Sequence, residues 1–258
     1  MLKVRVIPTL LYKNFGLVKG ERFNSWRRVG TALQSVNVYS IREVDELVFL
    51  DITATEEKRQ PDFEIIDDLT DECFMPFTAG GGIRNIEDIH GLLRVGADKV
   101  AINSAAVVSP GLIRDAARRF GAQCVIVSID FKKYRDDGYE VFINSGKTAT
   151  GLTPLELAKE AEELGAGEIL LTSIDRDGTM SGYELDCIRQ VSEAISIPVI
   201  ASGGAGCPQH FYEAITIGKA SAVAAASVFH FTELTPLDVK HYLHQHDIPV
   251  RLPDTEPK

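Results

Sequence analysis

The chain lacks most of the features that would mark it as secreted, membrane-bound, metal-binding or nucleic-acid-binding. It has only four cysteines, Cys73, Cys124, Cys187 and Cys207, in 258 residues. None falls in a C-x-x-C pair, so neither a disulfide framework nor a metal site is expected, and the thiols read as those of a reduced cytoplasmic protein. No apolar run approaches the roughly 18 residues of a membrane helix; the first, at 4–11, has the length of a strand. No basic stretch precedes it, and no secretory leader is expected. Positive charge is in deficit: 27 Lys and Arg against 37 Asp and Glu leave a formal charge of −10. That balance argues against nucleic acid or an anionic membrane as the main partner, so an anionic ligand has to be held by local donors. Linkers and low-complexity tracts are missing too, so one domain spanning 1–258 is expected, with a frayed tail at 252–258. Its length suits an α/β barrel and a large core needing no disulfides. No cofactor is expected.

What the chain does have is a statement made twice. Pro76-Phe77-Thr78-Ala79-Gly80-Gly81-Gly82 recurs as Pro198-Val199-Ile200-Ala201-Ser202-Gly203-Gly204, 122 positions later. At the same offset 45–50 (DELVFL) matches 167–172 (GEILLT), and Gly96 matches Gly218. Asn103-Ser104 falls near Ala226-Ser227. A repeat of this kind organises the fold. Short β-branched runs at 4–11, 46–51, 76–80, 99–103, 124–130, 168–173, 198–202 and 222–226 read as strands. Helical spacing appears at 62–72, 86–95, 109–120, 154–164, 185–194, 208–217 and 236–244, several stretches opening on Pro and closing on Gly. Continuous apolar strands between amphipathic helices imply a parallel sheet covered by helices. Eight units in two similar halves, about 1–122 and 123–246, predict an α/β fold, a (β/α)8 TIM barrel with a two-fold half-barrel repeat. A doubly wound open sheet is the alternative.

Two long loops, 12–29 and 131–150, leave the C-terminal ends of predicted strands, the face on which barrel enzymes place their active sites. The second contains Asp136-Asp137-Gly138, a hairpin signal. The repeated glycine turns Gly80-Gly81-Gly82 and Gly203-Gly204 follow strands and precede helices. With Asn103-Ser104 and Ala226-Ser227 they form two sets of short donors suited to phosphate, which suggests a ligand with a phosphate at each end. Tight-turn geometry alone is the plainer explanation. Asp130 ends the fifth strand and is a candidate general acid or base, with a helix cap or a salt bridge as the plainer role. Asp177 and Gly178 follow the sixth strand. Lys19 and Asp51 either shape the same pocket or simply make loop hydrogen bonds, and Thr172 and Ser202 are placed to line it. At the opposite face, strand alternation points Arg5, Lys99 and Glu168 into the barrel. Glu46 shares that level, but its parity differs from that of Asp51, so a bulge or twist is expected there. Four such charges can pair off and plug the bottom, as a gate or as a purely structural layer.

These residues resemble the cyclase subunit of imidazole glycerol phosphate synthase over nearly the whole chain. The resemblance is strongest in VDELVFLDITA (44–54), PFTAGGGIRNIEDIHGLLRVGADKVAINSAA (76–106), GAGEILLTSIDRDGTMSG (165–182) and IASGGAG (200–206). It implies a heterodimer with a glutaminase subunit. Ammonia from the partner would enter through a gate corresponding to Arg5, Glu46, Lys99 and Glu168, with Asp98 at the partner interface. It would meet a bisphosphate small-molecule substrate at the top, held by Gly82, Asn103 and Ser104 in one half and by Asp177, Gly178, Gly204, Ala226 and Ser227 in the other. One catalytic aspartate corresponds to Asp130; the other position holds Leu11, which has no proton to transfer. Leu11, the stretch Glu72-Cys73-Phe74-Met75-Pro76 and one extra residue between Gly218 and Val223 are similar to a paralogous branch. That branch works with a glutaminase and a third enzyme to turn an acetamido group on a nucleotide-linked sugar into an acetamidino group during surface (lipopolysaccharide-type) polysaccharide synthesis. The expectation is therefore an ammonia-receiving barrel of an amidotransferase complex. An active lyase-type cyclase of histidine biosynthesis is the alternative, and a single-chain phosphoribosyl isomerase is a third reading.

Overall fold

A computed structural model describes residues 3–14, 16–134 and 138–253. Eight parallel strands close on themselves. They are β1 (Arg5–Lys13), β4 (Leu47–Asp51), β5 (Phe77–Gly80), β6 (Lys99–Ile102), β7 (Val125–Tyr134), β10 (Glu168–Ser173), β11 (Val199–Ser202) and β12 (Ala222–Ala225). They follow one another around the barrel in that order, and β12 returns to β1 with Arg5 opposite Ala222. The fold is the (β/α)8 TIM barrel, not the open sheet, and all eight predicted strands are found within a few residues of their expected ends.

The helices between strands are α2 (Phe63–Thr70), α3 (Ile86–Arg94), α5 (Gly111–Phe120), α6 (Pro154–Glu163), α7 (Leu185–Ser192), α8 (Pro208–Thr216) and α10 (Pro236–Gln245). Their starts are chemically marked. Asp62 and Asn85 accept the backbone N–H of Ile65 and Asp88, and Thr153 and Thr235 form reciprocal capping boxes with Glu156 and Asp238, each followed by Pro. Three helices lay outside the expectation: α1 (Ala32–Ile41) and two short ones, α4 (Ser104–Val108) and α9 (Val228–Phe231). No helix of the described residues is long and apolar enough to cross a membrane. All four cysteines are free thiols.

Both long loops turn out to be sheet extensions. β1 runs on into an antiparallel hairpin of β2 (Gly16–Glu21) and β3 (Asn24–Gly30), and β7 pairs with β8 (Gly138–Ile143), which pairs with β9 (Thr148–Ala149). Asp136 and Asp137 of the expected turn, and the tail from 254 onward, lie outside the described residues.

The repeat is visible in the packing. A Cβ on Gly81 would sit 2.2 Å from the Asp51 carbonyl oxygen, and one on Gly203, 122 positions later, 2.6 Å from that of Ser173; both glycines have positive φ. No side chain fits at either turn. The extra residue near Gly218 is equally concrete. Thr78 pairs with Lys99, whereas Ile200 pairs with Ala222, one residue beyond the 122 offset, and Lys219 takes a left-handed φ of 60° in the connecting turn.

Inside the barrel, Ile7, Val48, Ile126, Leu170, Ile200, Ala222 and Ala224 form an apolar middle layer, with Leu50 against it. The larger core lies between strands and helices. N- and C-terminal segments are tied together at the bottom. Asp45 accepts Val6 N–H at 2.9 Å, the buried Lys240 ammonium at 2.7 Å and Arg251 Nε at 3.1 Å.

Candidate active site

Below the apolar layer, four charges close a ring. Arg5 reaches Glu46 and Glu168 at 2.6 Å each. Lys99 reaches Glu168 at 2.7 Å and Glu46 at 3.0 Å. Thr78 Oγ1 donates a further bond to Glu46 at 2.9 Å. Cations and anions alternate, and every carboxylate has two cationic partners, which is the condition for keeping such charges inside a barrel. Burial alone would raise the Glu168 pKa, but the Arg5 and Lys99 contacts hold it below its ordinary value. Glu46 sits in this ring without a bulge. It shares the parity of Val48 and Leu50, and Leu50, not Asp51, is the inward residue at the top of β4. The expectation of a twist came from taking Asp51 as the inward reference. Asp98 is exposed at the same end. Its carboxylate accepts the Phe77 N–H at 2.8 Å, while its own N–H donates to the Phe77 carbonyl at 2.9 Å.

Above the apolar layer a cavity of about 1050 Å³, open at its mouth, is lined by residues from all eight barrel strands or the loops that follow them. Asp130, Thr172, Ser202, Asn103, Ser104, Asp177, Gly178, Gly204, Ala226 and Ser227 all lie on its wall, so sequence reasoning brought most of one site together. The wall carries no Lys, Arg or His among the described residues. An anion there meets backbone N–H groups at the glycine turns and hydroxyls, as the acidic composition requires.

Two expected members lie off the wall, and a third is on it with its carboxylate engaged elsewhere. Gly82 is not on the wall; Gly81 is, and a Cβ on Gly82 would instead meet Arg59 and Ala54 of the loop after β4. Asp51 reaches the rim, but its carboxylate is occupied by Thr53, Ala54 and Arg59. Lys19 is fully buried behind the wall. It donates from Nζ to the Thr9 carbonyl at 2.6 Å.

The acids are electrostatically coupled. Burial, then the neighbouring Asp177 charge, pushes the Asp130 carboxyl up to about 7, against a 3.1 Å bond donated by Asn103 Nδ2. Asp177 is pushed up to about 6 by burial, partly offset by Lys19. Lys19 is brought down to about 7 by burial, with Asp177 opposing. Carboxyls tuned near neutrality in a cleft have the properties of proton carriers. Leu11 faces Asp130 from β1, four strands away around an eight-strand ring and therefore across the cavity. The β7 side of the site carries a carboxyl, and the facing position on β1 carries the alkyl side chain of Leu11.

Sequence reasoning missed the roof. The β2–β3 hairpin brings Phe23 and Trp26 onto the cavity wall. Its tip holds three non-glycine residues in left-handed backbone, Arg22 (φ 52°), Phe23 (57°) and Ser25 (54°), a costly arrangement of the kind found where geometry serves a site. The tip is docked on the Asp177-Gly178 loop. Arg22 N–H donates to the Asp177 carbonyl at 2.8 Å, and a Cβ on Gly178 would lie 2.0 Å from the Gly20 carbonyl oxygen. The second hairpin adds Ser145, which donates to the Ile52 carbonyl at 2.8 Å.

The family model described as "Histidine biosynthesis protein" matches residues 5–235. The chain belongs to that family. Within it, the chain is of the imidazole glycerol phosphate synthase cyclase type. The protein named "Imidazole glycerol phosphate synthase subunit HisF" from Hydrogenobaculum sp. (strain Y04AAS1) is 49% identical over 252 residues, covering 98% of this chain and 100% of that protein. For a histidine-biosynthesis-family barrel, the arrangement here is two-sided: a charged ring at one mouth, an apolar throat, and a cavity with Asp130 on one wall and Leu11 across from it.

Proposed function

We propose that this barrel is the ammonia-receiving subunit of a glutamine amidotransferase complex, and that its ammonia serves acetamidino-sugar formation rather than imidazole ring closure. One observation carries the reading: a complete ion ring, Arg5, Glu46, Lys99 and Glu168, lies on the same axis as a cavity in which Leu11 stands across from Asp130. An intact entrance with half an acid/base pair suits delivery better than cyclisation. Loss of one general acid or base typically lowers a rate by about 10²–10⁴.

The path is argued from the layers. A glutaminase subunit docks on the face carrying Asp98, where the ring opens. Ammonium meets charged groups in the ring but cannot cross the apolar layer of Ile7, Val48, Ile126, Leu170 and Ile200 without losing its hydration, so the species that crosses is neutral ammonia. Above that layer Thr9, Ser128 and Thr172 offer hydroxyls, and Asp130 can hold or give up a proton near neutral pH. A third, sugar-modifying enzyme receives the ammonia beyond the hairpin roof. The glycine turns hold a phosphorylated ligand in the cavity.

A working cyclase is the second reading. It is favoured by the 49% identity to the synthase subunit and by the retention of Asp130 and Asp177. The two separate on one assay: purified barrel, ammonium and the bisphosphate imidazolecarboxamide substrate, with Leu11→Asp alongside. Delivery predicts no wild-type turnover and partial rescue by Leu11→Asp. Robust wild-type turnover would overturn delivery in favour of the cyclase.

A further inference from the structure

The helical coat has one uncharged flank. Every other helix of eight residues or more carries charged side chains, whereas α1, with the sequence ALQSVNVYSI, carries none. Its inner face buries Val36 and Tyr39, and its outer face shows Leu33, Val38 and Ile41 to solvent. At the end of the helix, Ser40 Oγ donates to the Glu72 carbonyl at 3.1 Å, which ties the loop carrying Phe74 to the end of α1. Ile41 is 83% and Phe74 87% exposed. Four of the eight exposed large apolar residues among the described ones therefore belong to this flank. Apolar residues exposed singly are ordinary, but a row of them with no charge between marks a contact surface. The chain's own end does not supply the cover. Asp254-Thr255-Glu256-Pro257-Lys258 follow Arg251, which donates to the Glu43 and Val44 carbonyls just past α1, but they hold no large apolar side chain.

The row is palindromic. Asn37 lies at its centre, with Leu33 four residues before it and Ile41 four residues after. Each is about 6 Å from it along the axis, at 1.5 Å per residue. Leu33, Asn37 and Ile41 form one i±4 ridge and Gln34 and Val38 the next, a relief that packs into a copy of itself. The Asn37 amide has no hydrogen-bond partner among the described residues. A carboxamide both donates and accepts, so across a two-fold axis it is its own complement. Charge favours the same occupant. A chain with a formal charge of −10 repels a copy wherever acidic surfaces meet, and the α1 flank is where they need not meet. We propose that a second copy of this chain packs here. The two α1 helices run antiparallel about an axis through Asn37, with Leu33 of one copy against Ile41 and Phe74 of the other. A contact on the flank leaves both mouths of the barrel open, so it does not depend on the ammonia-delivery reading.

The test is analytical ultracentrifugation of the purified full chain from about 1 to about 200 µM. One helix flank covers less than the roughly 800 Å² per partner of a tight complex, so we expect a reversible dimer with a dissociation constant on the order of 10 µM. Raising the salt from about 50 to about 500 mM leaves that dimer intact, because the contact buries no charge and the repulsion between copies is screened. Ile41→Glu brings a carboxylate into each side of the contact and weakens association about tenfold or more. The melting temperature stays unchanged, since Ile41 touches little of its own chain. Asn37→Cys under mild oxidation gives a disulfide-linked dimer that the wild type, with its four thiols, does not give. A chain that stays monomeric up to about 200 µM would overturn the second copy as occupant and leave the flank to a different protein. A dimer that salt dissolves, that survives Ile41→Glu, or that Asn37→Cys fails to link would overturn α1 as its contact.

Discussion

Asp130 offers the sharpest test of the cavity's electrostatics. In the folded protein its carboxyl is pushed from 3.8 to about 7 by burial and by Asp177. A group whose folded pKa is raised binds extra protons in the folded state, so its stabilising contribution is present below the unfolded pKa and is lost as pH rises through the folded one. A shift of about three units corresponds to about 4 kcal/mol at roughly 1.4 kcal/mol per unit. Asp130→Asn keeps the shape and can still accept from Asn103 Nδ2, but it has no charge to bury. At pH 4 the variant and the wild type should therefore melt close together. By pH 8 the variant should be more stable by an amount of order 4 kcal/mol, or about 8–16 °C in Tm for a domain of this size. Thermal unfolding across pH 4–8, followed by circular dichroism, measures the gap. A difference in Tm that stays constant across that range would refute the assignment of a buried carboxyl titrating near 7.

Other perturbations test other parts of the molecule. Glu46→Ala leaves Arg5 and Lys99 facing one carboxylate. It should cost about 3 kcal/mol, the lower end of the range for broken buried pairs because Arg5 keeps 25% exposure, and Glu46→Ala with Arg5→Met should recover part of the loss; strict additivity in the thermodynamic cycle would argue against a coupled ring. Gly178→Ala places a Cβ against the Gly20 carbonyl and should lift the first hairpin, shifting Trp26 emission to the red and speeding tryptic cleavage at Arg27 and Arg28 several-fold; an unchanged digestion pattern would contradict the docking. Lys99→Glu should uncouple glutamine hydrolysis in the partner from product formation, with free ammonium still used normally; retained coupling would remove the gate role.

The parts legible in the sequence were those encoded by short-range pattern. Each barrel strand is built on a short apolar run, and the glycine turns recur at a constant spacing because backbone contacts at Gly81 and Gly203 admit no side chain. Helix α1 escaped because its apolar residues are spread around the axis: Val36 and Tyr39 are buried while Leu33, Val38 and Ile41 are exposed, which erases the helical period. The β2–β3 hairpin escaped because β3 has no fully buried residue and alternates in nothing a hydrophobicity pattern could register. With it went Phe23 and Trp26, whose place on the wall depends on a tertiary dock at Asp177. Lys19 was expected in the pocket from the loop's position, but pairing of Lys19 with Arg27 across the hairpin and its bond to Thr9 turn it behind the wall. Gly82 was one residue from the wall position, which Gly81 holds, while Asp51 does reach the wall with its carboxylate bound within its own loop.

The ring at the bottom has one more property. Arg5, Glu46 and Lys99 come from strands β1, β4 and β6 or the residue just before them, all in the first half of the chain, and together they carry one excess positive charge; Glu168, from β10 in the second half, cancels it. Neither half of the barrel is electrically complete alone. A first half closing on a copy of itself would bring together two surplus cations, and a second half doing so would bring together two bare carboxylates. The correct joining alone leaves the ring neutral, so its charges discriminate between correct and incorrect pairing of the two halves of the chain.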